Sequence, residues 1–506
     1  TVMAIQDQNA GTKGAAADVS ALHKFGYHQR LRRSMRLYSS FSLAFAEIAI
    51  TVTVFTLFAQ PFQTLGGVEI WMWIPVTAAG LLIATIWGHL TARIPVTGYA
   101  YSWVSRIVNP QYGWFCGWTE LAGWVMGTAG IAVAAASVFS PYFWANPSHQ
   151  DIEIFAAVAI ILGLIANIIS IKVTAFVNNI SASAELFGTL GLGVVVGIGL
   201  IFFRHIQGPK ILFHVGSTGG GAVTISALAL AALLPVYTIL GWDASADLAE
   251  ETHDPRRNIP RAMRRAVLIG GVCGFFLFAV YAMAIRGPVS PAVNGPKNAL
   301  ITVFESHFGS GAGYIVIVIA AFAMFSALLA NIAAAGRVAY ALGRDNMLPA
   351  SGVWGNVNKV THTPVYSLIA VGIIAELANV VSAGIVGRVL AGVTVAGYGI
   401  YAFVLIGVLI SHRLGRLPAD DDGYPTMGRW LIPGTWVALG WCLLVMLMMT
   451  LPAVNHVAGE YFIYIEAVGA LWFLTVLMRR LRRGTAGPGR EEVSGGVEAA
   501  EVDLSA

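Results

Sequence analysis

Carboxylic side chains stand inside long apolar stretches of this 506-residue sequence, where ionisable groups are rare. They are Glu47, Glu120, Glu185, Asp243, Asp247, Glu376 and Glu466, and His89 lies near the end of one such stretch. An ionisable group is kept in hydrocarbon mainly where it faces a cavity or a partner. Because all but the histidine are acidic, they suit a path for a cation, a proton or an ammonium-bearing solute. The alternative is that several, above all Glu120, Glu376 and Glu466, are protonated or hydrogen-bonded packing residues.

The most polar of these stretches reads PVYTILGWDASADLAEETHDPRRNIPRAM from Pro235 to Met263. Gly241 interrupts its apolar part and is followed by a run of aromatic and polar residues, Trp242, Asp243, Ser245 and Asp247. A lipid-facing helix could not carry these residues, whereas a broken helix that lines a cavity could. Unwinding frees backbone carbonyls for cations and exposes a half-helix N-terminus, which attracts carboxylates. The alternative is an ordinary helix that ends near Leu240 and continues into a long loop.

The elements that position these residues are membrane helices. Hydrophobic residues make up 57% of the chain and charged residues 11%, whereas soluble domains carry roughly 25% charged residues. A helix needs about 20 apolar residues to cross the hydrocarbon layer, and twelve such runs are present. We number them segments 1 to 12, and they lie near residues 39–60, 71–93, 113–140, 153–171, 179–203, 223–249, 264–286, 312–340, 364–384, 387–411, 431–453 and 459–478. The sequence therefore predicts an all-α membrane protein with twelve transmembrane helices.

The distribution of Lys and Arg predicts the orientation, because cytoplasmic loops carry the excess of both. With the N-terminus inside, 25 of these residues fall on the inner side and 5 on the outer side. We therefore expect a multi-pass protein of the plasma (cytoplasmic) membrane with both termini in the cytoplasm. The net charge of +4 forms no basic stripe with interleaved aromatics, so no nucleic-acid partner is expected.

Sequence patterns also limit the chemistry. The three cysteines lie in apolar runs without metal-ligand spacing, and neither GxxxxGK nor HExxH is present. We therefore expect that the protein is not an enzyme, and that it binds no metal and no cofactor other than a coupling H⁺ or Na⁺. A channel or receptor would fit the same hydropathy, although no filter loop is visible. Monomer and homodimer both remain open.

Segments 1 and 6 should correspond if two inverted five-helix repeats build the protein. Segment 1 reads FSLAFAEIAITVTVFTLF from Phe41 to Phe58, with Glu47, Thr51 and Thr53 at its middle. It contains no glycine, which weakens the case for a break there. A carboxylate and two hydroxyls at membrane depth nevertheless indicate a stretch that faces the interior.

Four stretches in order along the chain resemble those of the amino acid, polyamine and organocation (APC) transporter superfamily. They read GYHQRLRRSMRLYSSFSLAFAEIAI, ARIPVTGYAYSWVSRIVNPQYGWFCGW, GWDASADLAEETHDPRRNIPRAM and AAAGRVAYALGRDNMLP, between residues 26 and 349. Within the superfamily, the likeness is greatest to the amino acid and choline transporters, a branch that includes GABA permeases. The resemblance implies a LeuT-like fold of ten core helices in a 5+5 inverted repeat, with broken first and sixth helices, plus two C-terminal helices.

The resemblance also implies the functional regions of the chain. Residues 1–35 would form a cytoplasmic tail, 36–411 the ten-helix transport core, 412–480 the two additional helices and 481–506 a disordered cytoplasmic tail. A substrate carboxylate or its equivalent would dock on segment 1, and segment 6 would add carbonyls and an aromatic gate, for which Trp242 is the candidate. The substrate-binding residues carried over or inferred from charge are Glu47, Ile48, Ala49, Ile50, Thr51, Thr53, Tyr237, Gly241, Trp242, Asp243 and Asp247.

Glu185 falls about where some bacterial relatives carry a lysine that resembles a built-in substitute for a coupling sodium ion. A buried glutamate there is a candidate proton carrier, and binding of Na⁺ or of the substrate's positive end is the alternative.

The chain also departs from the family pattern at His89 and Tyr99, and Glu47 and Asp247 add negative charge. We therefore expect secondary active transport of a solute with a positive group, such as a GABA-like amino acid, choline or a polyamine. Proton symport is favoured over sodium symport, and exchange is a further alternative.

Overall fold

The computed structural model describes residues 18–489 except 49, 145, 170, 219, 221–222, 296–297, 383–385 and 421–422. Every regular element among these residues is helical, and none of them forms a β-strand. The outer parts of both predicted tails, residues 1–17 and 490–506, lie outside the described residues. The predicted all-helical class is therefore confirmed for the described part of the chain.

Ten of the predicted segments form helices that are long and apolar enough to cross a membrane. Their bounds are Leu37–Leu57, Gly67–Arg93, Pro110–Phe143, His149–Ile169, Thr174–Gly199, Pro255–Ala284, Ser310–Arg344, Val389–Arg413, Gly428–Thr450 and His456–Arg482. Two shorter apolar helices, Ile225–Thr238 and Val365–Ser382, occupy segments 6 and 9. A multi-pass helical membrane protein is thus confirmed, whereas twelve crossings, the inverted repeat and the domain boundaries stay predictions.

Short helices join or extend these segments. They are Ala59–Thr64, Tyr99–Ile107, Ala244–Asp247, Val289–Val293, Ala299–Phe308 and Ser351–Trp354. Segment 1 is almost wholly buried, whereas segments 4 and 12 expose most of their side chains. Small residues let the inner helices approach closely. A Cβ on Gly88 of segment 2, for example, would lie 3.0 Å from Cβ of Pro260 in segment 7.

Segment 6 has the interruption that its sequence predicts. The helix ends at Thr238, a new helical turn begins at Ala244, and Gly241 between them has φ = +83°. Glycine adopts this left-handed conformation without the steric penalty of a Cβ. Segment 1 is described as two helices, Leu37–Ile48 and Ile50–Leu57. The predicted site residue Ala49 between them lies outside the described residues.

Ion pairs and a hydrogen bond tie three of the four family-like stretches together at one end of the bundle. Arg337 Nε lies 2.8 Å from Glu251 Oε1, and both side chains are fully buried. Arg344 Nη1 lies 3.0 Å from Glu250 Oε1, which also accepts a hydrogen bond of 3.2 Å from the Thr97 amide. The stretch after segment 6 is therefore fixed to the end of segment 8 and to the loop after segment 2.

Part of each predicted tail packs against this end. Tyr27 is buried, and its hydroxyl donates to Asp345 Oδ2 over 2.7 Å, as does the Tyr101 hydroxyl. The backbone N–H of Gly487 donates to the Asp345 carbonyl over 2.9 Å. Tyrosine and backbone groups within the described parts of the predicted tails therefore have partners on the folded bundle.

We expect Arg337→Met to destabilise the protein by about 3–5 kcal/mol, because it leaves the buried Glu251 carboxylate without its cation. Thermal unfolding of the purified protein in detergent measures the effect. Arg479→Met is the matched control, since Arg479 is exposed at the end of segment 12. Equal midpoints for the two variants would contradict a structural role of the ion pair.

Candidate functional site

A cavity of about 50 Å³ lies at the interruption of segment 6, between segments 1, 3, 8 and 10. Its polar and aromatic lining residues are Glu47, Trp124, Tyr237, Asp243, Asn331 and Tyr401. None of the described residues that line it is Lys, Arg or His. This volume holds roughly four water molecules, so entry of an organic solute requires the surrounding helices or side chains to move apart.

Glu47 presents an unpaired oxygen at this cavity. Its Oε2 accepts a hydrogen bond of 3.0 Å from Nδ2 of Asn331, and Asn331 Oδ1 accepts one of 2.9 Å from the Thr128 hydroxyl. These contacts fix the carboxylate between segments 1, 3 and 8. The other oxygen, Oε1, is buried without a hydrogen-bond partner. A buried acceptor of this kind calls for a donor, and a solute in the cavity could supply one.

Asp243 is held by two tyrosines. The Tyr401 hydroxyl donates to Oδ1 over 2.5 Å, and the Tyr99 hydroxyl donates to Oδ2. Tyr401 belongs to segment 10, whereas Tyr99 begins the short helix after segment 2. The Asp243 carboxyl is therefore oriented by two phenols, and each of its oxygens retains a further acceptor position. Tyr99, one of the departures from the family pattern, thus contacts a predicted site residue.

The interruption of segment 6 lies directly against segment 1. A Cβ built on Gly241 would lie 3.0 Å from Cβ of Glu47 and 3.2 Å from its Oε2. Glycine is therefore required at this position for two reasons: its backbone adopts a positive φ, and segments 1 and 6 approach each other closely there. The same contact brings Glu47 and Asp243 to one cavity.

Glu185 lies outside the cavity lining and binds the backbone of segment 1. Its Oε1 accepts a hydrogen bond of 3.0 Å from the amide of Thr51, in the first turn of the helix Ile50–Leu57. The first amides of a helix have no intrahelical acceptor, so a carboxylate is a favourable partner there. Glu185 is also the first residue of a π-helical turn, Glu185–Thr189, a feature often found at functional sites. Its Oε2 is buried without a hydrogen-bond partner.

Asp247 and Glu120 form a second acidic group beside the cavity. Both residues are fully buried. Glu120 Oε2 accepts a hydrogen bond of 3.4 Å from the Tyr101 amide, whereas Glu120 Oε1 and both oxygens of Asp247 have no hydrogen-bond partner among the described residues. Two further predicted intramembrane acids have polar partners: Glu466 accepts from the Thr119 hydroxyl and Glu376 from the Asn379 amide group.

The predicted site residues thus divide into two sets. Glu47, Tyr237, Gly241 and Asp243 line the cavity. The described residues outside its lining are Ile48, Ile50, Thr51, Thr53, Asp247, Glu185 and Trp242. The buried indole of Trp242 packs against Trp87 and Tyr401, at centroid distances of 6.2 and 5.5 Å. Its role as a gate stays a prediction, as do the binding roles of the other residues.

Sequence reasoning missed Asn331, Trp124 and the two tyrosines that hold Asp243. A signal existed for Asn331, because it is a lone amide within the apolar run of segment 8. Such a residue in a membrane helix marks an interior contact. The aromatic residues gave no comparable signal, since tyrosine and tryptophan are common throughout the helices of this chain.

We expect Gly241→Ala to weaken both the fold and the cavity, because alanine at this φ costs about 1–2 kcal/mol and its Cβ would press on Glu47. A lower midpoint of thermal unfolding would show this effect. Gly440→Ala is the control, since Gly440 lies in the helix of segment 11 with open space around its Cβ position. A Gly241→Ala protein as stable as the control would contradict the assigned geometry.

Comparisons with known proteins agree with this architecture. The family model described as amino acid permease matches residues 36–475. The chain is 24% identical over 482 residues to the amino-acid permease BAT1 of Arabidopsis thaliana, covering 90% of this chain and 92% of that protein. It is 25% identical over 487 residues to amino-acid permease 2 of Neurospora crassa, covering 92% and 87%. It is also 25% identical over 311 residues to the low-affinity putrescine importer PlaP of Escherichia coli K12, covering 60% and 66%. The chain therefore belongs to the amino acid permease family of the APC transporter superfamily.

Proposed function

We propose that this permease is a secondary active carrier for a small solute with a positively charged amino or quaternary ammonium group. The observation that carries the proposal is the charge of the cavity. Two carboxyl groups, Glu47 and Asp243, line it, and no cationic side chain is among its described lining residues. An ammonium group of the cargo would supply the missing positive charge.

Glu47 is the proposed first contact of the amine, because its Oε1 is buried without a hydrogen-bond partner. A primary ammonium has three N–H donors, so it can satisfy this oxygen and still reach the acceptor positions of Asp243. Trp124, Tyr237 and Tyr401 add aromatic faces to the same cavity. A cation over such a face gains about 0.5–2 kcal/mol, which extends recognition to quaternary amines such as choline.

Glu185 bears on whether the cargo also needs a carboxylate. The Thr51 amide at the start of the helix Ile50–Leu57 is a donor of the kind that binds a carboxylate. In this chain the Glu185 carboxylate already accepts from that amide. We therefore rank amines and diamines first and GABA-like amino acids second. The relatives' names, amino-acid permease and putrescine importer, fit this range.

Transport by alternating access would move segments 1, 2, 6 and 7 against the remaining core. The interruption at Gly241 and the Glu185 contact at Thr51 support this proposal, because both lie at the middle of the segments that would rock. The N-in, C-in orientation in the plasma membrane is part of the same proposal and rests on the distribution of Lys and Arg.

Uptake into proteoliposomes tests the proposed function. Radiolabelled putrescine, choline, GABA and a neutral amino acid are offered with an imposed proton gradient, a sodium gradient or neither. Accumulation of an amine above equilibrium supports the proposal, and the gradient that drives it identifies the coupling ion. Uptake that ignores both gradients would leave exchange or facilitated diffusion. Single-channel currents would instead assign the protein to the channels.

We expect Glu47→Gln to weaken binding of a transported amine at least tenfold, because it removes a charge that lies in a cavity of low polarity. The glutamine keeps the size of the side chain and its contact with Asn331. Ligand-induced stabilisation of the purified protein measures the affinity. Glu460→Gln, at an exposed position of segment 12, is the matched control. Unchanged affinity in Glu47→Gln would place the amine elsewhere.

We expect Glu185→Gln to abolish proton-driven accumulation while exchange persists in part. Its amide oxygen can still accept from the Thr51 amide, so the contact with segment 1 is retained and only the titratable group is lost. Uptake at several imposed proton gradients measures the effect. Glu185→Ala, which loses the contact as well, separates the structural role from the titration. A proton dependence in Glu185→Gln equal to that of the wild type would exclude this residue as the proton carrier.

A further inference from the structure

A second cavity, of about 260 Å³, opens at the basic end of the bundle, away from the acidic site. It lies between segment 2, the start of segment 7 and the loop that precedes segment 11. Three arginines of segment 7, Arg257, Arg261 and Arg264, line one side. Thr85 and Thr426 also line it, and their hydroxyl groups donate to the Leu81 carbonyl and to Asp420 Oδ1. The chemistry of this cavity is therefore the reverse of that around Glu47.

The three arginines share one face of the helix Pro255–Ala284, because their spacing of four and then three residues matches the helical repeat. The same face continues to Leu268 and Val272, which are 50% and 60% exposed. Exposed aliphatic side chains on a membrane-spanning helix face lipid. Arg264 precedes Leu268 by about 6 Å along the helix axis, so the basic face begins where the lipid-facing surface ends.

These arginines lack carboxylate partners among the described residues. The Arg264 Nε donates to the Pro260 carbonyl over 3.2 Å, and the Arg257 guanidinium lies 5.2 Å from the centre of the Tyr424 ring. No ion pair joins Arg257, Arg261 or Arg264 to an acidic side chain of the described chain. Most of their guanidinium donors therefore have no acceptor within the part of the chain that the structure describes.

Other cations around the cavity already have partners. Arg93 donates to Asp420, the described aspartate of the adjoining loop. Arg256 stacks on the Tyr424 ring at 3.6 Å and donates to the Ala92 carbonyl. A hydrogen bond from Thr426 holds the pKa of the Asp420 carboxyl below its usual value, which keeps it charged for Arg93. The three arginines that line the cavity differ from Arg93 and Arg256 in this respect.

A role in membrane orientation alone would not require this arrangement. Arg479 and Arg482 at the end of segment 12 also add positive charge at the same side, and they are exposed. Three converging arginines around a void of this size form a concave site instead. The planar fork of arginine matches the oxygens of a phosphate group.

We propose that this cavity binds a phosphate group, supplied by the headgroup of an anionic lipid in the adjacent leaflet. The lipid source follows from the continuity of the arginine face with Leu268 and Val272, along which acyl chains would lie. Trp430, 62% exposed at the start of segment 11, adds an aromatic residue of the kind enriched at membrane interfaces. Basic pockets between membrane helices bind anionic headgroups in this way. The bound lipid joins segment 2, segment 7 and the loop before segment 11.

Lipid binding to the purified full-length protein tests the proposal. Phosphatidylglycerol is added to the delipidated protein in detergent, with phosphatidylcholine and inorganic phosphate as separate arms, and the midpoint of thermal unfolding is followed. We expect phosphatidylglycerol to raise the midpoint more than phosphatidylcholine does. R261Q/R264Q should lose this response, whereas R479Q/R482Q, which removes the same charge at the same residue spacing, should keep it.

Native mass spectrometry provides a second measurement that does not depend on an unfolding transition. We expect the wild type and R479Q/R482Q to retain one phosphatidylglycerol more than R261Q/R264Q. If the double variant does not fold, the single variant R261Q takes its place. Equal retention of phosphatidylglycerol in all variants, or an equal rise in midpoint, would overturn the proposal. A rise with inorganic phosphate alone would keep the phosphate site and overturn its lipid source.

Discussion

The carboxylates buried among the membrane helices constrain the rest of this structure, because hydrocarbon offers them no solvation. Four of the described acids near the cavity have different hydrogen-bond partners. Glu47 accepts from the Asn331 amide group, Asp243 from two phenols, Glu185 from the Thr51 backbone amide and Glu120 from the Tyr101 backbone amide. These contacts join segments 1, 3, 5, 6, 8 and 10, so the acids organise the packing of the core around them.

Not all of their hydrogen-bonding capacity is used. Glu47, Glu120 and Glu185 each keep one buried oxygen without a hydrogen-bond partner in the described chain, and both oxygens of Asp247 are in the same position. Such atoms are unfavourable in a purely structural core, and they cluster where a ligand or an ion is expected. Their placement separates two roles: Glu47 lines the cavity, whereas Glu185 contacts the backbone where the second helix of segment 1 begins. A change in the charge of Glu185 would therefore act on the backbone of segment 1, although the Glu185 side chain does not line the cavity.

The acidic cavity and the basic cavity are separate features of the bundle. Glu47 and Asp243 line the first, whereas Arg257, Arg261 and Arg264 line the second, and Arg337 and Arg344 are held in buried pairs with Glu251 and Glu250. The buried pairs join two of the stretches that resemble the APC superfamily, the one after segment 6 and the one that ends segment 8. The second cavity instead leaves its arginines open to the membrane surface.

The sequence by itself determined the helical class, the positions of the twelve apolar segments and the interruption at Gly241, because the thickness of a bilayer and the conformational freedom of glycine act on local sequence. It also identified the intramembrane acids, since their cost in hydrocarbon does not depend on the fold. Only the tertiary structure decided which of them meet a cavity. Asn331 and Glu47 are 284 residues apart, and Trp242 packs against Trp87 and Tyr401 without lining the cavity itself. Such contacts depend on how whole helices pack, which no short stretch of sequence encodes.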